Sequence, residues 1–439
     1  MSTVAQNLPP TLPDTSPVAN GIALTRDPLG FFVRLAREAG NFAHYELTDR
    51  IVYFVNDHKL AREVLVVHED DFEKWAFNDS FNLVFGDGLI GSHGDLHRKM
   101  RRIAQPPLQK ERFARYATTI VDVTEERQRT WSAGEIDLSR EMTLLTVDVI
   151  GRALFSTSLG KRADKIFEAT RTLMLLSTRL GGAAEEVQGF HAANATISEI
   201  AQQLVDEFDR SQKDGSLLAH LLSARDRGEP GMSDHQLREE LRTFILAGHV
   251  TTAQTLACSL WLLACDEASQ KKLQKEVDTV LAGRLPRAED LPQLVFCEAI
   301  ILEALRLYPP VWVFGREALT EVQLNGYPIK TGEELVVCAW LLHRDPEIFP
   351  EPESFKPERW LGDARAKLPR CSYLPFSSGP RSCLGEHFAL MESVLALASI
   401  AQHWQFRELP DRPDPGWSPQ LLYWPRRGIR LRAEHRAAQ

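Results

Sequence analysis

One cysteine in this chain stands where it could do chemistry. The stretch Phe376-Ser377-Ser378-Gly379-Pro380-Arg381-Ser382-Cys383-Leu384-Gly385 is a loop with two glycines and a proline around a single thiol. Behind it, His387-Phe388-Ala389-Leu390-Met391, then Val394 to Leu397 and Ile400, give an apolar face at helical spacing. Cys383 therefore falls at or just before a helix N-terminus, where unpaired N–H groups and the helix dipole favour the thiolate. Gly379 and Gly385 lack a Cβ, so the backbone can turn tightly and admit something flat and bulky. Arg381 offers a fixed fork for a carboxylate or phosphate. Thiolate, close-approach glycines and anion clamp together suggest a haem, with iron on sulfur and a propionate on arginine. The plain alternative is a buried free cysteine in a loop, which is the commoner fate of a lone cysteine.

The whole string decides between them. It matches the pattern FxxGxRxCxG at every fixed position, Phe376, Gly379, Arg381, Cys383 and Gly385. On that string the chain resembles the cytochrome P450 family. The resemblance implies haem b with Cys383 as the proximal iron ligand, and Phe376, Arg381 and Gly385 among the haem contacts. It also implies a mainly α (α+β) fold, one large helical domain with a small β-rich region.

Further residues fit that frame. His97 and Arg101 lie four apart on a basic helical pattern, so they share a face. A solvated basic helix is the default for such a run; in the family, this pair holds a haem propionate. Arg316, in a predicted strand, matches the second propionate arginine. Ser233 and Gln236 have capping-box spacing and open a long helical run to about Cys265. In its middle stand Ala247-Gly248-His249-Val250-Thr251-Thr252. Mid-helix glycine costs about 1 kcal/mol against alanine, so a local reason is expected. Close packing against a neighbouring helix is one. The resemblance implies another: Gly248 and Ala247 leave a groove for dioxygen, and Thr251 donates a hydrogen bond to it. The family pattern AGx[D/E]TT has an acid where this chain has Val250. Glu303 and Arg306 sit among Ile300, Ile301, Leu302, Leu305 and Leu307, so the pair is expected to be buried and to need further partners. Arg359 can supply one, and the resemblance makes these three a structural triad of the haem-binding core.

The element pattern places a hairpin over residues 44–55 and helices over 58–66, 94–102, 140–155 and 291–307. A tight hairpin turns at Asn325-Gly326, Leu335 to Trp340 reads as a strand, and residues 421–425 and 429–431 resemble the last hairpin of the family. Residues 1–24 read as a disordered leader, 25–433 as a single haem domain and 434–439 as a tail. Apolar residues make up 44% of the 439, ordinary for a globular protein, and the net charge of -9 gives a nucleic-acid role no electrostatic support. No stretch approaches the run of about 20 apolar residues that a membrane span needs. With no anchor, no secretion signal and no CxxC pair, all six cysteines are expected reduced in a soluble, bacterial-type cytoplasmic protein.

The resemblance thus implies a haem-thiolate monooxygenase that puts one oxygen atom from O2 into its substrate. Phe81, Leu83, Val84, Phe244, Val250, Val311, Val313, Phe314 and Leu422 are candidate pocket residues. All are apolar, so an apolar substrate is expected, such as a fatty acid, terpenoid or steroid-like molecule. Val250 cannot relay a proton. Water or another side chain, His249 included, takes that place, or the enzyme uses peroxide or a step without reductive oxygen activation. A haem sensor or carrier of the same fold is the alternative from another class. No reductase domain follows the last hairpin, so electrons are expected from a separate ferredoxin or flavodoxin. A basic face drawn from Lys99, Arg102, Lys110, Arg112, Arg365, Lys367 and Arg370 would receive it.

Overall fold

Residues 42–55 alternate aromatic and β-branched side chains about a polar turn. The computed structural model pairs them as β1 (Phe42–Glu46) and β2 (Ile51–Val55), antiparallel with Phe42 opposite Val55. It describes residues 7–48, 50–74, 79–177, 183–209, 211, 215–411 and 413–436. The chain divides into two compact units.

The first unit comprises Met1–Asn78, Arg306–Ser354 and Asp363–Cys383. Its sheet adds β3 (Phe72–Lys74), β4 (Phe314–Ala318) and β5 (Glu334–Val337), in the order β1-β2-β5-β4-β3. Among the described residues only β2 and β5 pair in parallel. The strand expected to reach Trp340 stops at Val337, and Ala339–Leu342 turns into a short helix. Two helices, α1 (Pro17–Arg26) and α2 (Pro28–Ala39), precede the sheet, and Phe32 of α2 stacks on Phe54 of β2 with centroids 5.4 Å apart. The expectation of a disordered leader over 1–24 fails from residue 7 onward. Ser16 caps α1 by accepting from the Ala19 N–H, Leu12 is buried, and the Pro10 carbonyl takes the His44 N–H at 2.9 Å. A proline-rich start can dock as well as dangle, and the apolar Leu12 is what anchors it. Asn325 and Gly326 both adopt positive φ, as the predicted hairpin turn requires.

The second unit comprises Asp79–Leu305, Phe355–Gly362 and Leu384–Gln439. It is mainly helical. The helices used below are α3 (Asp79–Phe85), α4 (Gly94–Ala104), α5 (Leu138–Leu154), α6 (Ala163–Leu176), α7 (Ala184–Glu207), α8 (Asp234–Cys265), α9 (Val295–Leu307) and α10 (Glu386–His403). The last two residues of α9 belong to the first unit. With 32 residues, α8 is about 48 Å long at 1.5 Å per residue. Ser233 caps it by accepting from the Gln236 N–H at 3.1 Å. The rest of the expected capping box is absent, because the Gln236 amide turns instead to the Asp87 carbonyl and to Glu240. Helix α5 is buried over nearly its whole length and packs on α8, where Thr146 Oγ1 donates to the His249 carbonyl at 3.2 Å. The last hairpin differs from expectation: Tyr423–Pro425 pairs with Trp417–Pro419, while Arg430–His435 joins Gly134–Asp137 and Trp404–Arg407 in a separate sheet.

Candidate active site

In the first unit the cysteine loop closes on itself. The Cys383 N–H donates to the Phe376 carbonyl and the Ser382 N–H to the Gly379 carbonyl, both at 2.9 Å. Gly379 has φ +73°, and a Cβ there would lie 2.0 Å from the Leu65 carbonyl oxygen. Only glycine fits this position. Of the six cysteines, Cys258, Cys297 and Cys338 are buried and Cys371 is half-buried, whereas Cys265 and Cys383 are exposed. Burial pushes the Cys258 and Cys297 thiols far up, and Cys338 to about 12. Cys265 ends α8, at the negative pole of its dipole; Cys383 precedes α10, at the positive pole. Of the six, Cys383 alone is both exposed and set before a helix rather than at its end.

The same unit gathers cations. Arg316 on β4 is buried and stands directly opposite Lys74 on β3 in the antiparallel register. Like charges so opposed destabilise a strand pair. Burial, and then Arg381, lowers Arg316 to about 10; burial, Arg381 and Arg316 hold Lys74 well below the ordinary lysine range. Arg316, predicted from sequence, is thus brought together with Arg381 and with Lys74, which the sequence reading missed. The Phe72-Glu73-Lys74 triplet carried no signal, because its meaning depends on which strand lies opposite.

The triad divides its work. Glu303 is fully buried and accepts from Arg359 at 3.0 Å, from Trp360 Nε1 at 2.8 Å and from the Lys356 N–H at 2.9 Å. Arg306 donates to the carbonyls of His343 at 2.9 Å, Pro352 at 2.6 Å and Ser354 at 3.1 Å. His343, also missed, is fully buried, and its Nε2 accepts from the Leu374 N–H at 2.7 Å, just ahead of the cysteine loop.

In the second unit, His97 lies on the buried side of α4 and Arg101 is half-buried beside it. The middle of α8 is buried except at Ala247, Gly248 and Thr251, which form a half-exposed stripe at helical spacing. Thr251 Oγ1 donates to the Ala247 carbonyl at 3.2 Å. Val250, 2% exposed, is off that stripe. His249 is turned away too: Nδ1 sits 2.5 Å from the Ile245 carbonyl and Nε2 3.4 Å from Thr170 Oγ1 of α6, and burial lowers its pKa to about 4. His249 is thus not placed as the proton carrier in Val250's stead. Gly248 has a packing reason, since a Cβ there would come 2.8 Å from Ile150 Cδ1 of α5. Close helix contact is one reason for that glycine.

Comparison with known proteins matches residues 9–432 to the family model "Cytochrome P450". The chain is 33% identical over 418 residues to cyclooctatin synthase of Streptomyces melanosporofaciens, covering 91% of this chain and 90% of that one. It is 34% identical over 426 residues to cyclooctat-9-en-7-ol 5-monooxygenase of the same organism, covering 92% of each. It is 30% identical over 439 residues to pentalenene oxygenase of Streptomyces avermitilis, covering 96% of each.

The chain belongs to the cytochrome P450 family. As a cytochrome P450 it is an oxidoreductase, a monooxygenase for apolar substrates, and the family implies a haem-thiolate cofactor. No helix among the described residues is long and apolar enough to cross a membrane. The residues present fit a haem: an exposed thiol on a loop that needs glycine, and a desolvated cation cluster suited to carboxylates. The pocket candidates of this P450 separate by exposure. Leu83, Val311, Val313 and Phe314 are open at least in part, whereas Val84, Phe244, Val250 and Leu422 are buried. At 422 the half-exposed neighbour is Leu421, one residue earlier in a bend that precedes Tyr423–Pro425. The Phe81 side chain lies outside the described residues.

Proposed function

We propose that this P450 inserts one oxygen atom from O2 into an unsaturated, mostly hydrocarbon substrate of terpenoid type, using haem b held by Cys383. The observation that carries the reading is the exposed Cys383 thiol on a loop whose turn only glycine fits, with Arg316, Lys74 and Arg381 gathered in the same unit. The names of the relatives, cyclooctat-9-en-7-ol 5-monooxygenase and pentalenene oxygenase, favour a terpenoid over a fatty acid or steroid-like molecule. When bound, the haem supplies O2 activation and oxygen transfer, and thiolate donation favours O–O cleavage. Cys383 Sγ would hold the iron. Arg316, Arg381 and Lys74 would neutralise propionates, the role that the sequence motif also gives His97 and Arg101. Ala247 and Thr251 line the oxygen side, where Thr251 Oγ1 leaves the Ala247 carbonyl and presents its proton. Water resupplies that proton, since neither Val250 nor His249 can.

The test is the absorption spectrum of the purified protein, ferric and then reduced under carbon monoxide. The expected result is a strongly red-shifted Soret band that C383S abolishes, with K74M keeping the band but losing haem faster. A wild type with an ordinary histidine-type band overturns the reading. The buried Val250 favours one second reading, in which hydrogen peroxide replaces O2 and two electrons. Turnover with peroxide alone that matched turnover with surrogate redox partners and NADPH would support it. The proposed electron donor is a ferredoxin or flavodoxin in the cytoplasm. Lys99, Arg102, Arg365, Lys367 and Arg370 are exposed as that role requires; Arg112 is half-buried against Gly215, and the Lys110 side chain lies outside the described residues.

A further inference from the structure

Helix α3 stops at Gly86, whose φ is +72° and whose N–H donates to the Asn82 carbonyl at 2.7 Å. The last carbonyls of a helix have no partner within it, and here other helices supply the donors. Arg242 of α8 sends Nη2 to the Leu83 and Val84 carbonyls, both at 3.2 Å, and to Asn194 Oδ1 of α7 at 2.7 Å. Its Nη1 holds both oxygens of Glu239, at 3.1 and 3.0 Å. Thr243 Oγ1 donates to the Phe85 carbonyl at 2.8 Å. The chain beyond is held the same way: the Asp87 and Leu89 N–H groups donate to Glu239 and Glu240, each at 3.0 Å. The approach is close enough that a Cβ on Gly86 would lie 1.9 Å from Glu239 Oε2, and one on Gly88 2.3 Å from Thr243 Oγ1. Segment 83–89 thus has its backbone satisfied mainly by side chains of α8, with the Arg242 charge at the negative end of α3.

We propose that Arg242 is a positioning residue for substrate selection, a latch that ties α3 and α7 to α8 and fixes how far segment 83–89 can open. This rests on the reading that Leu83 lines the substrate pocket. A five-donor guanidinium can serve Leu83, Val84, Asn194 and Glu239 together, which a lysine cannot. With the latch released, the Leu83 and Val84 carbonyls lose their Arg242 donor and Glu239 its cation, the segment loosens and bulky ligands pass freely, while small ones are unaffected.

The holoenzyme tests it in two ways. Hydrogen exchange over 83–89 should quicken about tenfold in R242M, with α5 unchanged, and R242K should fall between. Release of 4-phenylimidazole, followed by the Soret shift, should quicken by a similar factor, while imidazole release stays as in the wild type. N194A, which removes an acceptor of Arg242 and a donor to the Leu83 carbonyl at a half-buried site, should move both readouts the same way and covers the case of R242M failing to fold. Unchanged exchange in 83–89 overturns the latch. Faster exchange with unchanged 4-phenylimidazole release overturns its role in selection. A wild type with no Soret response to imidazole overturns the haem reading instead, and the exchange measurement still decides the latch.

Discussion

Thr251 has the one hydroxyl on the half-exposed stripe of α8, and in this structure it is spent on its own helix. Such back-bonding to the i−4 carbonyl costs little to break, so the side chain is free to turn. T251A should keep the carbon monoxide spectrum but cut product formed per electron consumed by a factor of 10 or more, the usual scale for a lost proton donor being about 10²–10⁴. Coupling equal to the wild type would remove Thr251 from the mechanism. V250E should lower the melting temperature, because a carboxylate at a position 2% exposed has no partner there. It should not raise coupling; a rise would show that position 250 opens to the oxygen side after all.

Gly248 belongs to the contact between α5 and α8, and its prediction to the scale of elements. Adding a methyl gains about 1 kcal/mol of helix propensity but crowds Ile150 Cδ1, an overpacking that costs about 1–3 kcal/mol. G248A should therefore destabilise slightly. In an I150V background, which lacks that methyl, G248A should instead stabilise. An equal cost in both backgrounds would return the glycine to the oxygen groove. The pair differs from the Asn325-Gly326 hairpin, whose glycine follows from backbone conformation alone and was legible in the sequence for that reason.

For the whole molecule, two neutral buried histidines set the acid limit. Burial lowers His249 to about 4, and burial together with Arg306 and Arg344 lowers His343 to about 3. Above pH 6.5 both are neutral in either state and nothing changes. Below it the unfolded chain takes up protons that the folded chain refuses, so stability falls until the folded pKa is reached, by at most about 1.4 kcal/mol per pH unit per group. The advantage of wild type over H343Q in denaturant melts should accordingly shrink as pH drops from 6.5 to 4. An advantage that stayed constant would mean His343 charges in place. At neutral pH the exposed cations should make reduction by an acidic ferredoxin slow with rising salt, despite a net charge of -9; rates indifferent to ionic strength would dismiss the docking face.

Sequence alone determined what depends on local backbone and fixed spacing. The Cys383 loop was readable because a tight turn demands glycine, and α8 because its cap and its helical run are local. Glu303 and Arg359 were readable because a charge among so many apolar neighbours must find a partner. Tertiary structure decided the rest. Whether Lys74 is surface or anion site turns on its register with Arg316. Whether His249 faces the oxygen side or α6 turns on helix rotation. Whether residues 7–24 dangle or dock turns on a distant strand whose His44 N–H donates to the Pro10 carbonyl. Each is a choice among partners far apart in the chain, and composition does not encode which partner the fold brings near.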